Sequence, residues 1–165
     1  MTPPAPSSEA AGAEPRAAGA HPATSPALPQ ALPRHALHAF LVEDNLLVRE
    51  NLIAALEELA PVRVVGSSSD ERAALEWLRD PGRPCELMIV DIFLSGGSGL
   101  GVLAAARRRR PEAAIVVLSN FTSAGISARC LAGGADRVFD KSRDIDLLVD
   151  FCKGLARPAE RAPPH

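Results

Sequence analysis

Cysteine is scarce in this sequence, net charge is small and no apolar stretch is long, and each shortage closes off a class of protein. Cys85, Cys130 and Cys152 are odd in number, far apart and set among apolar neighbours. They match neither a disulfide framework nor the close pairs of a zinc site, and they read as reduced, mostly buried thiols. A formal net charge of −2 and a pI near 6.1 carry no basic bias. That argues against attraction to nucleic acid or to an anionic membrane through bulk electrostatics. No run approaches the ~18 consecutive apolar residues of a membrane helix. The N-terminus also lacks the charged start and apolar core of a secretory signal. The expectation is a cytoplasmic protein with neither nucleic acid nor membrane among its partners.

What is present is enough apolar material for one core: 47% of 165 residues, room for a single domain of ordinary size with tails. Residues 1–36 stand apart, with eight of the fifteen prolines and no aromatic residue. Proline removes amide donors and fixes φ, so this segment reads as a disordered leader. Residues 157–165 repeat its character and read as a flexible tail. The span expected to fold is 37–156.

Within it, short apolar runs alternate with amphipathic stretches. Ala39 to Val42 is a first strand, and residues 46–59 carry Leu52, Ile53, Leu56 and Leu59 at helical spacing. Val62 to Val65 is a second strand. Ser68-Ser69-Asp70-Glu71 has the spacing of a capping box for a helix running to about Arg79. Leu87 to Val90 is a third strand and delivers Asp91. A helix over 98–110, a strand over Ile115 to Leu118, a helix near 123–132 stopped by Gly133–Gly134, a short strand at Val138–Phe139 and a helix through Ile145, Leu148, Val149, Cys152 and Leu155 complete the pattern. Five such units with continuously apolar strands predict an α/β doubly wound (βα)5 sandwich around a parallel sheet. In such a sheet, ligands bind at the carboxyl ends of the strands, near the point where strand order reverses.

Four of the five strands end in Glu43–Asp44, Asp91, Ser119 and Lys141. Taken singly, each is ordinary: an acid after a strand caps a helix or faces water, and a lysine is a solvated charge. The fold, however, brings them to one rim. Three carboxylates converging there repel unless something positive lies between them. An oxygen-only donor set suits a hard cation such as Mg²⁺, which keeps several waters and takes one or two carboxylates plus a phosphate. Lys141 adds a mobile cationic donor suited to a phosphate oxygen, and Ser119 a hydroxyl. This inventory matches phosphoryl transfer to a carboxylate, a reaction that needs positioning and charge neutralisation more than acid–base work. No histidine is required there, and His21, His35, His38 and His165 all fall away from these strand ends.

The residues FLVEDN at 40–45, IVDIFLSGGSGL at 89–100, VVLSN at 116–120 and GADRVFDKS at 134–142, in this order and separation, resemble the receiver domains of two-component response regulators. The resemblance implies a flavodoxin-like strand order, 2-1-3-4-5. It implies Asp91 as phospho-acceptor, with Glu43, Asp44, Asp91 and the backbone carbonyl of Phe93 around Mg²⁺. Ser119 takes the place of the switch hydroxyl and Lys141 that of the family's lysine. The implied partners are a histidine kinase or histidine-phosphotransfer protein and a downstream effector, and pairing of two copies through the 119–145 face is a family-level expectation. Because nothing after residue 157 could bind DNA or catalyse, a receiver without an output domain is expected, a conformational switch and not a turnover enzyme.

Three positions depart from the family pattern. Ser95 stands where a proline is usual, and Ser142 replaces the proline, often cis, that commonly follows the lysine. Val138 stands at the switch-aromatic position, with Phe139 beside it. Phe93 and Phe121, two residues after Asp91 and Ser119, either flank the path of an attacking water and slow hydrolysis, since neither can orient water, or simply pack at the edge of the core. The alternatives are a pseudo-receiver that is never phosphorylated and an aspartate-nucleophile phosphatase. The second needs a further aspartate as general acid where Phe93 stands. Arg107 to Arg110, at a helix end, read as solvated cations favoured by the helix dipole. Gly96-Gly97-Ser98-Gly99 lacks the Gly-Lys-Ser/Thr of a P-loop.

Overall fold

Strands that are apolar on consecutive residues need cover on both faces, and β3 (Leu87–Val90), every residue of it buried, sets the arrangement. In a computed structural model that describes residues 35–157, Leu87 and Ile89 point into one layer of core and Met88 and Val90 into the other, as the two-residue period of a strand requires. The chain runs β1 (Leu37–Val42), α1 (Leu46–Leu59), β2 (Val62–Ser68), α2 (Glu71–Leu78), β3, α3 (Gly99–Arg109), β4 (Ala114–Ser119), α4 (Ala124–Ala132), β5 (Arg137–Asp140) and α5 (Ile145–Leu155). All pairings are parallel, in the order β2-β1-β3-β4-β5. The expected flavodoxin-like sandwich is the observed one.

Helices α1 and α5 close the first layer with Leu52, Leu56, Leu148, Val149 and Cys152. Helices α2, α3 and α4 close the second with Ala74, Leu78, Val102, Leu103, Ala106 and Cys130. Burial of each large aliphatic chain stabilises the fold by roughly 1.5–3 kcal/mol. The order reverses between β1 and β3, so the carboxyl ends of these two adjacent strands flank the switch point. Among the described residues no helix is long and apolar enough to cross a membrane. The three cysteines are free, Cys130 and Cys152 buried and Cys85 half-buried, and burial pushes the Cys85 and Cys152 thiols up to about 11. The leader and tail expected at residues 1–36 and 157–165 lie outside the described residues, except at positions 35, 36 and 157.

Two local readings need correction. The cap of α2 is Asp70, whose carboxylate accepts from the Ala73 N–H at 2.8 Å, and not Ser68. Ser68 still belongs to β2, paired with Val42, and its carbonyl accepts from the Glu43 N–H; the ladder claims it before the helix can. The arginines ending α3 are also not all solvated. Arg107 donates to the carbonyls of Gly134, Pro111 and Ala113 and to Asp136, while Arg110 donates to the carbonyls of Asp80 and Pro81. Only Arg108 and Arg109 stand free in solvent.

Candidate functional site at the carboxyl rim of the sheet

Among the described residues, five polar or charged side chains are buried, and each strand contributes one at or just past its carboxyl end: Glu43, Ser68, Asp91, Ser119 and Asp140. Burying such groups is costly unless they are paired. Their concentration on one rim marks it off from the rest of the fold.

Glu43 and Asp44 follow β1, and the turn after them is fixed by Asn45, the cap of α1, which accepts from the Val48 N–H. Glu43 is 2% exposed. One of its oxygens accepts from the Asn45 N–H at 3.1 Å and the other from the Lys141 ammonium. Burial raises its pKa, and those two donors offset only part of the effect. Asp44 accepts from the Ser95 N–H at 2.9 Å, which holds its carboxyl below the ordinary value. Asp91 follows β3; Oδ1 accepts from the Phe93 N–H at 3.1 Å and Oδ2 from Lys141 Nζ at 2.7 Å. Glu43, Asp44 and Asp91 offer oxygens that lie within 4.8 Å of one another. Such a donor set, carboxylate oxygens only, fits a hard divalent cation.

Lys141 follows β5, reaching both Glu43 and Asp91. Burial presses its pKa down, but the two carboxylates outweigh that and hold it above the ordinary lysine value. Ser119, the last residue of β4, is buried; its hydroxyl accepts from the Phe121 N–H at 3.4 Å, and its carbonyl accepts from the Lys141 N–H. Phe93 and Phe121 are exposed at the rim, in edge-to-face contact with centroids 5.6 Å apart. Val138 packs into the layer of α3 and α4, whereas Phe139 faces the opposite layer and meets Phe151. Adjacent residues of a strand point to opposite faces, so Phe139 does not stand in for the aromatic that Val138 replaces.

Two further residues shape the site, although the sequence does not assign them to it. Glu71, in the first turn of α2, accepts from the Ser98 N–H at 2.7 Å while its own N–H donates to the Gly96 carbonyl. With the Asp44–Ser95 bond, this clasps the loop after β3 at three points. Gly97, at φ +96°, leaves the space that Glu71 fills, and Gly99 lies so close to the Asp91 carbonyl that a Cβ would stand 2.1 Å from its oxygen. Asp140 is the second. It accepts from the Ser142 N–H at 2.8 Å and Thr122 Oγ1 at 3.1 Å, and also from the Ser142 hydroxyl and Arg143. These donors, chiefly Ser142, hold its pKa down at about 2. The departure at Ser142 thereby has a reason, because proline would supply neither the N–H nor the hydroxyl. No peptide bond among the described residues is cis.

A family model described as the response regulator receiver domain matches residues 39–153. The Fimbriae Z protein of Salmonella typhimurium is 27% identical over 113 residues, which cover 68% of this chain and 53% of that protein. The chain spans about half the length of the curated relatives it matches. A response regulator protein from Burkholderia pseudomallei, solved with a phosphorylated aspartic acid, calcium ion and citrate, is 22% identical; the match covers 73% of this chain and 68% of that one, with a TM-score of 0.63. The CheX-CheY-BeF3-Mg+2 complex from Borrelia burgdorferi matches at 14% identity, 74% of this chain, 90% of that one and a TM-score of 0.65. At these identities the two structures speak for the fold.

Proposed function

The chain belongs to the response regulator receiver family, and from that premise we propose that it is a phosphorelay component that accepts a phosphoryl group on Asp91. The observation that carries this reading is the position of Lys141 Nζ, bonded to Asp91 and Glu43 with Asp44 in the same acidic cluster. A buried carboxylate flanked by a cation and two further carboxylates is equipped to attack phosphorus once a metal joins it. The Burkholderia pseudomallei protein, which carries a phosphorylated aspartic acid and a calcium ion, lends the same chemistry by analogy.

In this reading Glu43, Asp44, Asp91 and the Phe93 carbonyl hold Mg²⁺. Bound there, the ion would neutralise charge on the transferring phosphoryl group. An Asp91 carboxylate oxygen attacks phosphorus in line, and the bond to the donor, a phosphohistidine of a kinase or phosphotransfer protein, breaks. Lys141 turns its ammonium from the Asp91 carboxylate to a phosphoryl oxygen, and Ser119 donates its hydroxyl to another. Drawing Ser119 inward biases the 119–145 face, which a downstream effector or a second copy reads. The domain is then a cytoplasmic switch and not a turnover enzyme. Phe93 and Phe121, exposed at the rim and in contact with each other, would hinder the approach of water to Asp91 and lengthen the life of the acyl phosphate; Phe93→Asn with Phe121→Glu should speed dephosphorylation, and an unchanged rate removes this part of the reading.

Acetyl phosphate with Mg²⁺ tests the function directly. Mass spectrometry should show one added phosphoryl group on the wild-type chain and none on Asp91→Asn. A folded wild-type chain that stays unlabelled under these conditions would be a pseudo-receiver.

A further inference from the structure

We propose a second metal site at the amino end of the same sheet, where His35, His38 and Glu86 form a three-ligand set for a first-row transition ion of the Zn²⁺ kind. His38 lies in β1, His35 two residues before that strand, and Glu86 immediately before β3. His35 Nε2 and His38 Nδ1 approach the same oxygen, Glu86 Oε2, at 3.0 and 3.1 Å. All three donor atoms lie within 4.8 Å of one another. Around a tetrahedral ion with ligands at ~2.0–2.1 Å, neighbouring donor atoms stand about 3.3 Å apart. Admitting an ion therefore asks for sub-ångström shifts along two of the three edges.

The backbone already holds two of the ligands in place. The His38 N–H donates to Glu86 Oε2 at 3.0 Å, and the Glu86 N–H donates to the His38 carbonyl at 2.8 Å. The first bond is the kind of outer contact that orients a ligating carboxylate. The two imidazoles meet edge to face at 5.5 Å, so neither ring blocks the other's nitrogen.

The donor chemistry separates this site from the acidic rim. Two imidazole nitrogens and one carboxylate suit Zn²⁺ and its neighbours, whereas Mg²⁺ prefers oxygen alone. On metal binding the ring nitrogen of each histidine that now faces Glu86 would give its lone pair to the ion, with the ring proton carried on the other nitrogen. Three protein ligands leave a fourth position for water or an incoming ligand. The ion would brace the segment entering β1 against β3. The two sites would lie about the length of β1 apart, roughly 20 Å at ~3.3 Å per residue.

The test is a titration of the full chain with Zn²⁺ alone as ligand, in saturating Mg²⁺, read by calorimetry and by thermal melting. The proposal expects one binding event and a raised Tm in the wild type and in Asp91→Asn. His35→Ala, His38→Ala and Glu86→Gln should each weaken binding about tenfold or more. His35 lies outside every strand, so His35→Ala tests the site without disturbing the sheet. Wild-type affinity in the folded His35→Ala and Glu86→Gln chains, no binding to the wild type, or loss of binding in Asp91→Asn would each overturn it.

Discussion

The two rims of the sheet are made from the same strands and are held in opposite ways. At the carboxyl rim, buried carboxylates are answered by neighbouring side chains: Glu43 and Asp91 by Lys141, and Asp140 by Ser142 and Thr122. At the amino rim, His38, Glu86 and His35 are half-buried or exposed, and water can take over their bonds. Between the rims, the interior is apolar throughout. A buried charge at the carboxyl rim cannot be removed without stranding its partner, whereas an exposed pair such as Arg83–Asp80 is nearly dispensable.

Lys141→Met breaks this comparison most severely. It leaves Glu43 and Asp91 facing each other without a cation, and we expect a loss of about 3–5 kcal/mol in urea unfolding of the metal-free chain. Disrupting an exposed pair such as Arg83–Asp80 should cost under about 1 kcal/mol in the same measurement. Equal losses would erase the distinction between rim and surface.

Ile89→Ala comes next. It empties a fully buried position in the central strand and should cost about 2–5 kcal/mol. The folded fraction should still be labelled by acetyl phosphate, because the interior supports the site without taking part in its chemistry.

A pH-dependent effect comes last, at Asp140, whose carboxyl falls from 3.8 to about 2 on folding. A depressed acid lends stability that is complete above its unfolded value and is lost as the pH falls through the folded one. The wild type should therefore lose stability on acidification from 3.8 toward 2 that Asp140→Asn does not lose. Parallel acid-unfolding curves for the two chains would remove the assigned role.

Much of this was legible in the sequence. Strands such as LMIV at 87–90 are apolar on every residue and lie in a parallel sheet, and the polar groups that end them share a rim by topology. Asp91, Glu43, Asp44, Ser119 and Lys141 are ordinary singly and stand out only as a set at the ends of four strands. Glu71 does not, because its partner Ser98 lies 27 residues away and arrives through tertiary folding; Asp140 has its chief partner, Ser142, two residues on, but only the fold buries the pair and adds Thr122 from 18 residues away. A sequence pattern describes neighbours along one element, so a cap such as Asp70 is misread when the preceding strand runs three residues further than its apolar run suggests. His35 and His38 were discounted for a similar reason. They lie 51 and 48 residues from Glu86, and only the pairing of β1 with β3 brings them to it.

Under the proposed function, side chains from four strand ends surround one cation and one phosphoryl group. Amide NMR of the full chain, titrated with Mg²⁺ and then with beryllofluoride, tests it most directly. The amides of Asp44, Phe93, Ser95 and Lys141 should move together with a single midpoint, and beryllofluoride should then shift Ser119 and Phe121 in the wild type and not in Asp91→Asn. Shifts scattered over the surface, or a beryllofluoride response that survives Asp91→Asn, would contradict it.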